Sequence, residues 1–351
     1  MRIAQIAPLF EAVPPKLYGG TERVVSWLTE ELVAQGHDVT LFASGDSVTK
    51  AKLDPVWEMA IRLDPTCKDW VAAYHVMMER VAQRAHEFDV LHFHTDYFPF
   101  SLFSRMGVPF LTTLHGRLDL PEFGTIYGTF PNAPLVSISD AQRLPLAYQN
   151  WIGTVHHGLP ADLLMPQPVE KGYLAFLGRI APEKGPDRAI KIAKRAGMKL
   201  KIAAKVDNAD RKYFDEEIKH LLDDADVEFI GEINDRQKPE FLSGAHALLF
   251  PIDWPEPFGL VMIESMACGT PVIAYRRGSV PEVMTDGVTG FIVDSENDAV
   301  EAVRRLPEID RAGVRAAFEA RFTSARMARD YVALYTRLAR KLQLVQAEAA
   351  D

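Results

Sequence analysis

The chain has 351 residues, enough for two domains of ordinary size, each with its own core. Hydrophobic residues at 48% and charged residues at 25% are ordinary for a soluble globular protein, and a net charge of −9 excludes the basic footprint of a nucleic-acid binder. The two cysteines, Cys67 and Cys268, have no paired spacing, which excludes a disulfide framework or thiolate zinc site and fits a reducing cytoplasm.

The chain opens on "RIAQIA", too short and too interrupted for a signal peptide, so a first buried strand is expected. "TERVVSWLTEELVAQG" follows, with apolar residues at helical spacing and a closing glycine. Strand-like runs then recur: "DVTLFAS", "DVLHFHT", "PFLTTLH", "PLVSIS" and "GTVHHG" in the first half. The second half adds "YLAFLG", "LKIAAK", "VEFIG", "ALLFP", "PVIAY" and "GFIV". Most lack polar alternation, as expected of strands covered on both faces by helices. Strand–helix–strand repetition implies parallel sheets, and so many strands exceed one twisted open sheet.

Two Rossmann-like α/β domains are therefore expected, divided at the proline-rich stretch "GLPADLLMPQPVEKG". The expected division is 1–160, 161–322, and a last helix within 323–351 that returns to the first domain. No run approaches the ~20 apolar residues of a membrane span, although a membrane-surface role stays open. Ligands of open parallel sheets bind beyond the carboxyl ends of the strands, so the two domains should face one another across a cleft there.

The motifs do follow strands. In "WPEPFG" the prolines Pro255 and Pro257 forbid a helix, so Glu256 sits on a loop. A helix can begin near Gly259 or Leu260 and stop at Gly269, with Glu264 near its second turn. Helix-start amides favour a phosphate, and the two glutamates could bracket a ligand whose phosphates lie at the helix end. An exposed loop acid followed by an ordinary helix acid accounts for the same stretch equally well. In "GRIAPEKG" the loop cations Arg179 and Lys184 suit a diphosphate, or a solvated turn. "YGGTER" offers Gly19 and Gly20 as a tight turn before a helix start. "HFHTD" and "TLHG" put His92, His94, Asp96 and His115 near strand ends. His92 and His94 share a strand face, but no further ligand has convincing spacing for a metal. His115 is the better cleft histidine and could donate a hydrogen bond to a substrate. No G-x-S-x-G, H-E-x-x-H or Walker loop occurs.

Together, "GGTER", "LHG", "GR…EKG" and the paired Glu256 and Glu264, in that order, resemble the retaining nucleotide-sugar glycosyltransferases of family 4, also called group 1. The resemblance implies the GT-B fold of two Rossmann-like domains, and no cofactor or catalytic metal. It implies that Gly19 and Gly20 approach the donor diphosphate, and that Arg179 and Lys184 neutralise it. Glu256 would lie by the donor sugar hydroxyls, with the Phe258, Gly259 and Leu260 backbone beside sugar and phosphate. Glu264 would hold the ribose, and His115 would contact the sugar. The implied partners are a nucleotide sugar, with UDP favoured over GDP and ADP, and a small-molecule, glycan or lipid-linked acceptor. Ile252, Trp254, His157 and Pro160 depart from the family pattern and bear on sugar and acceptor preference. A UDP-N-acetylglucosamine 2-epimerase-like enzyme and a non-catalytic nucleotide-sugar binder are the alternatives.

Overall fold

The computed structural model describes residues 1–16 and 19–348, with side chains to residue 340. Tyr18 of "YGGTER" and the last three residues of the chain lie outside the described residues. The chain forms two compact units, residues 1–158 with 324–351, and residues 159–323.

Among the described residues the first unit holds seven parallel strands: β1 (Arg2–Ile6), β2 (Asp38–Ser44), β3 (Lys52–Trp57), β4 (Val90–Phe93), β5 (Phe110–Thr113), β6 (Leu135–Ser137) and β7 (Trp151–Thr154). Their order across the sheet is β3-β2-β1-β4-β5-β6-β7. The second unit holds six: β8 (Tyr173–Arg179), β9 (Leu200–Lys205), β10 (Val227–Gly231), β11 (Ala245–Phe250), β12 (Val272–Tyr275) and β13 (Gly290–Val293). Their order is β10-β9-β8-β11-β12-β13. In each sheet the strand order turns back once, at β1/β4 and at β8/β11. The helices after the two strands of such a pair go to opposite faces, which leaves a crevice at their carboxyl ends.

Two expectations are corrected. The sequence pattern gives no strand at β3, because Asp54 and Pro55 interrupt it, yet β3 pairs with β2 from Thr40↔Lys52 to Ser44↔Trp57. It is an edge strand, where a proline costs no ladder bond on its open side. Its buried Asp54 is held by Arg80 and Arg84 from the helix Trp70–Arg84. β7 lies earlier than "GTVHHG", since the ladder ends one bond past Thr154, at Val155 N–H to Ser137 carbonyl (2.9 Å). Beyond it the Arg326 guanidinium donates to the carbonyls of His156 and His157, at 2.6 and 3.0 Å.

Arg326 belongs to the helix Ser324–Glu348, which packs on the helix Gly20–Ala34 and on β4. Tyr331 and Tyr335, four residues apart on one helix face, are buried against the sheet.

Candidate functional site

In the second unit, β8 delivers Arg179 and a single 3₁₀ turn, Pro182–Lys184, to the end of β11. The turn closes at Gly185, whose φ of +70° is the left-handed region. A Cβ there would stand 2.5 Å from the Pro251 carbonyl oxygen, so only glycine lets this loop lie against the end of β11. The approach pairs Lys184 Nζ with Glu256 Oε2. Trp254 Nε1 donates to the same oxygen at 2.8 Å, and Lys184 Nζ sits 4.7 Å from the Trp254 ring centre. Arg179 contacts Glu183 at 2.6 Å and Asp210 at 3.1 Å.

Glu256 is buried, which removes the reading of it as an exposed loop acid. Its loop is held from behind by the stretch after β12. Ser279 N–H donates to the Glu256 carbonyl at 3.0 Å, and Ser279 Oγ donates to the Phe258 carbonyl at 2.8 Å. Gly259 (φ +78°) then starts the helix Leu260–Ala267. Glu264 on that helix is buried and bonded to Lys238 Nζ at 2.6 Å, and Lys238 also meets Asp235 at 3.1 Å. Lys238 precedes a proline in "RQKPEF", and no spacing in the sequence ties it to Glu264. A carboxylate has about four acceptor directions, so this pairing leaves Glu264 capacity for ligand hydroxyls.

In the first unit, Gly19 and Gly20 sit at the start of the helix Gly20–Ala34. The expected tight turn is corrected in one respect. Gly19 has a φ of 175°, ordinary extended backbone, and what requires glycine is space, since a Cβ would meet Pro15 at 2.8 Å. Glu22 of the same motif is buried, and burial with the neighbouring Glu11 charge pushes its carboxyl up to about 7. Asp96, after β4, holds a left-handed φ of +49°.

The histidines form a buried polar array. His115 Nε2 lies 2.9 Å from His94 Nδ1, and His94 Nε2 lies 2.8 Å from Gln5 Oε1. His92 bonds Tyr335 through Nδ1 (2.7 Å) and Thr113 through Nε2 (2.7 Å), and Thr113 meets Tyr331 at 3.0 Å. His115 stacks on His157 with ring centres 5.3 Å apart. Burial drives the basicity of His92, His94 and His157 well below the usual value, and that of His115 down to about 3. Both nitrogens of His92 and of His94 are thus engaged in hydrogen bonds, and among the described residues no group of three or more ligating side chains is placed to hold a metal ion.

Two α/β units of parallel strands, each with its strand order turning back once, define a doubly wound α/β class of protein. A family model for glycosyl transferases group 1 matches residues 166–319, and one for Glycosyltransferase Family 4 matches residues 18–163. The chain belongs to this family of glycosyltransferases. A D-inositol 3-phosphate glycosyltransferase of Mycolicibacterium smegmatis is 26% identical over an alignment of 258 residues, with 62% of this chain and 59% of that protein covered. The chain thus matches less than two thirds of that relative's length. The crystal structure of AviGT4, a glycosyltransferase involved in avilamycin A biosynthesis, superposes with a TM-score of 0.74 at 23% identity, covering 97% of this chain and 98% of the other. Anabaena HepE in complex with UDP and glucose gives 0.72 at 17% identity, covering 95% and 99%. At these identities the likeness shows the fold, which is GT-B.

Proposed function

We propose that the protein is a retaining glycosyltransferase that moves a hexosyl group from a nucleotide-diphosphate sugar, with UDP favoured, to an acceptor hydroxyl. The observation that carries the reading is the convergence, at the carboxyl ends of β8 and β11, of Arg179, Lys184, Glu256 and the start of the helix bearing Glu264. When the anomeric carbon–oxygen bond breaks, negative charge grows on the diphosphate. Two cations and helix-start amides stabilise that charge. Glu256, fixed by Trp254 and Lys184, is positioned for sugar hydroxyls, and Glu264 for the ribose. The acceptor oxygen bonds to the same face of the sugar, and its proton passes to the departing phosphate oxygen. Family membership and the presence of UDP with glucose in the HepE structure support the choice of donor.

The test is a thermal-shift panel of UDP-, GDP- and ADP-sugars. A donor at 100 times its dissociation constant stabilises the folded state by about 2.7 kcal/mol. No shift with any of them refutes the donor reading. Turnover of the stabilising donor with and without added acceptors, and the anomeric form of the product by NMR, separate transfer with retention from epimerisation.

A further inference from the structure

Five aromatic rings in mutual contact gather at the carboxyl ends of β1 and β4, all within the first unit. Phe10 follows β1, Tyr97 and Phe98 follow β4, and Trp70 and Tyr74 stand in the first two turns of the helix Trp70–Arg84. Ring centres lie 5.5 Å apart for Trp70 and Phe10, 5.7 Å for Trp70 and Tyr74, and 6.1 Å for Trp70 and Phe98. Tyr97 stacks on Phe98 at 5.6 Å. Tyr74 is the buried floor, its hydroxyl accepting from the Leu9 amide at 3.2 Å. Trp70 and Tyr97 remain 42% and 36% exposed, and the Trp70 indole N–H has no hydrogen-bond partner among the described residues. Exposed rings gathered where the strand order turns back mark a ligand surface.

Asp96 borders this shelf, preceding Tyr97 in the chain. Its φ of +49° is left-handed, a region aspartate usually enters with a local side-chain hydrogen bond. Here the carboxylate makes no hydrogen bond or ion pair among the described residues. The side chain keeps access to solvent, yet protein crowds it enough to raise the carboxyl to about 6. The Tyr127 hydroxyl is buried without a partner among the described residues; burial raises it, and the nearby Asp96 charge adds to the rise. Uncommitted polar groups beside exposed rings suit a ligand with one apolar face and hydroxyls at its edge.

We propose that this shelf is the acceptor subsite and takes an unphosphorylated sugar ring, with Trp70 against its C–H face and Asp96 accepting from its hydroxyls. A phosphorylated acceptor would meet the wrong charge. The connections after β1, β3 and β4 (7–19, 58–69 and 94–99) carry five carboxylates and three cations. Two of those cations are already paired, Arg62 with Glu11 and Lys16 with Asp46, both at 3.0 Å. A lipid chain would strip water from Asp96 and offer no hydrogen bond in return. A planar base needs a flat partner, but Phe10, Phe98 and Tyr74 are tilted by 49°, 73° and 87° to Trp70. Such a corrugated surface suits the axial C–H bonds of a puckered ring.

Calling this sugar the acceptor rests on the proposed transferase reading, whereas its binding to the shelf does not, and the experiment separates the two. In the whole chain labelled with 5-fluorotryptophan, Trp70→Tyr identifies the ¹⁹F signal of Trp70. The probes are methyl glycosides of glucose, galactose, mannose and N-acetylglucosamine, the 6-phosphates of the same sugars, uridine and hexanol. At least one glycoside should move the Trp70 signal saturably, and its 6-phosphate, uridine and hexanol should each bind at least about tenfold more weakly. Asp96→Ala should weaken that glycoside about tenfold, and Asp96→Asn, which keeps an oxygen acceptor, should recover part of the loss. No movement with any glycoside, or tighter binding of a phosphate, uridine or hexanol, overturns the subsite. With the nucleotide sugar that the thermal panel selects, Trp70→Ala should raise the acceptor KM about tenfold at unchanged donor KM, and Trp70→Tyr should restore most of it. Should Trp70→Ala not fold, Asp96→Ala, at a solvent-accessible position, gives the same comparison. Transfer to the glycoside that is indifferent to both variants overturns the subsite and leaves the transferase reading standing. Glycoside binding at Trp70 without turnover of any donor refutes the transferase reading and leaves the sugar subsite standing.

Discussion

Gly278 is a remote lever on the proposed donor site. Its φ of +50° lies in the left-handed region, and a Cβ there would stand 2.3 Å from the Glu256 carbonyl oxygen and 2.4 Å from the Glu256 amide nitrogen. Gly278→Ala therefore incurs two costs, about 1–2 kcal/mol for an alanine in that region and about 1–3 kcal/mol for steric overpacking against backbone that cannot rotate away. Gly287 separates the two costs, because its φ is +73° but a Cβ there would meet no atom within 4 Å. Gly287→Ala should lose only the conformational part. Taking the total for Gly278→Ala as about 3 kcal/mol, a unit of this size should lose roughly 6–12 °C in Tm, against about 2–8 °C for Gly287→Ala. The Glu256 loop must also shift, and a misplacement of about 1 Å can cost on the order of 100-fold in rate. Differential scanning calorimetry and donor turnover on both variants give the comparison. Equal Tm losses in the two variants, or full turnover in Gly278→Ala, would refute the argument that this glycine holds the Glu256 backbone in place.

The two acids should separate kinetically: Glu256→Gln lowers kcat more than it raises donor KM, since its contact matters most as the anomeric carbon moves, and steady-state kinetics check this. Glu264→Ala strands the buried Lys238, which retains only Asp235 among the described residues, and should destabilise by about 3 kcal/mol, whereas Glu264→Leu with Lys238→Met recovers most of that in urea unfolding while UDP binding stays lost. Turnover should persist in EDTA, because Arg179, Lys184 and helix-start amides supply the charge stabilisation; loss restored by magnesium or manganese would show that assignment wrong. Acidification from pH 7 to 5 should lower Tm. The unfolded chain protonates its histidines below about pH 6.5, while burial keeps His92, His94, His115 and His157 neutral in the fold, which costs about 1.4 kcal/mol per pH unit for each. Glu22, raised to about 7, and Asp96, raised by burial to about 6, work in the opposite direction, but two acids against four histidines do not reverse the sign; a flat or rising Tm would refute the neutral array.

What the chain revealed unaided was local. Unbroken apolar runs such as "YLAFLG" and "PVIAY" announce strands buried on both faces, and the prolines around Glu256 exclude a helix, because both signals depend only on neighbouring residues. The start of the helix at Leu260 after Gly259 and its stop before Gly269 were legible for the same reason. The edge strand β3 was not, since Pro55 and Asp54 make sense only beside an open edge and beneath two arginines from another helix. The partners of the acids were equally hidden. Lys184 and Glu256 lie 72 residues apart, and Lys238 and Glu264 lie 26 apart, and no local pattern encodes a pairing that the order of β8, β9, β10 and β11 creates. The partners of the histidines are the most remote of all. Gln5 on β1 meets both His94 and a tyrosine from a helix 330 residues further along the chain, so the array exists only once the fold has brought them together.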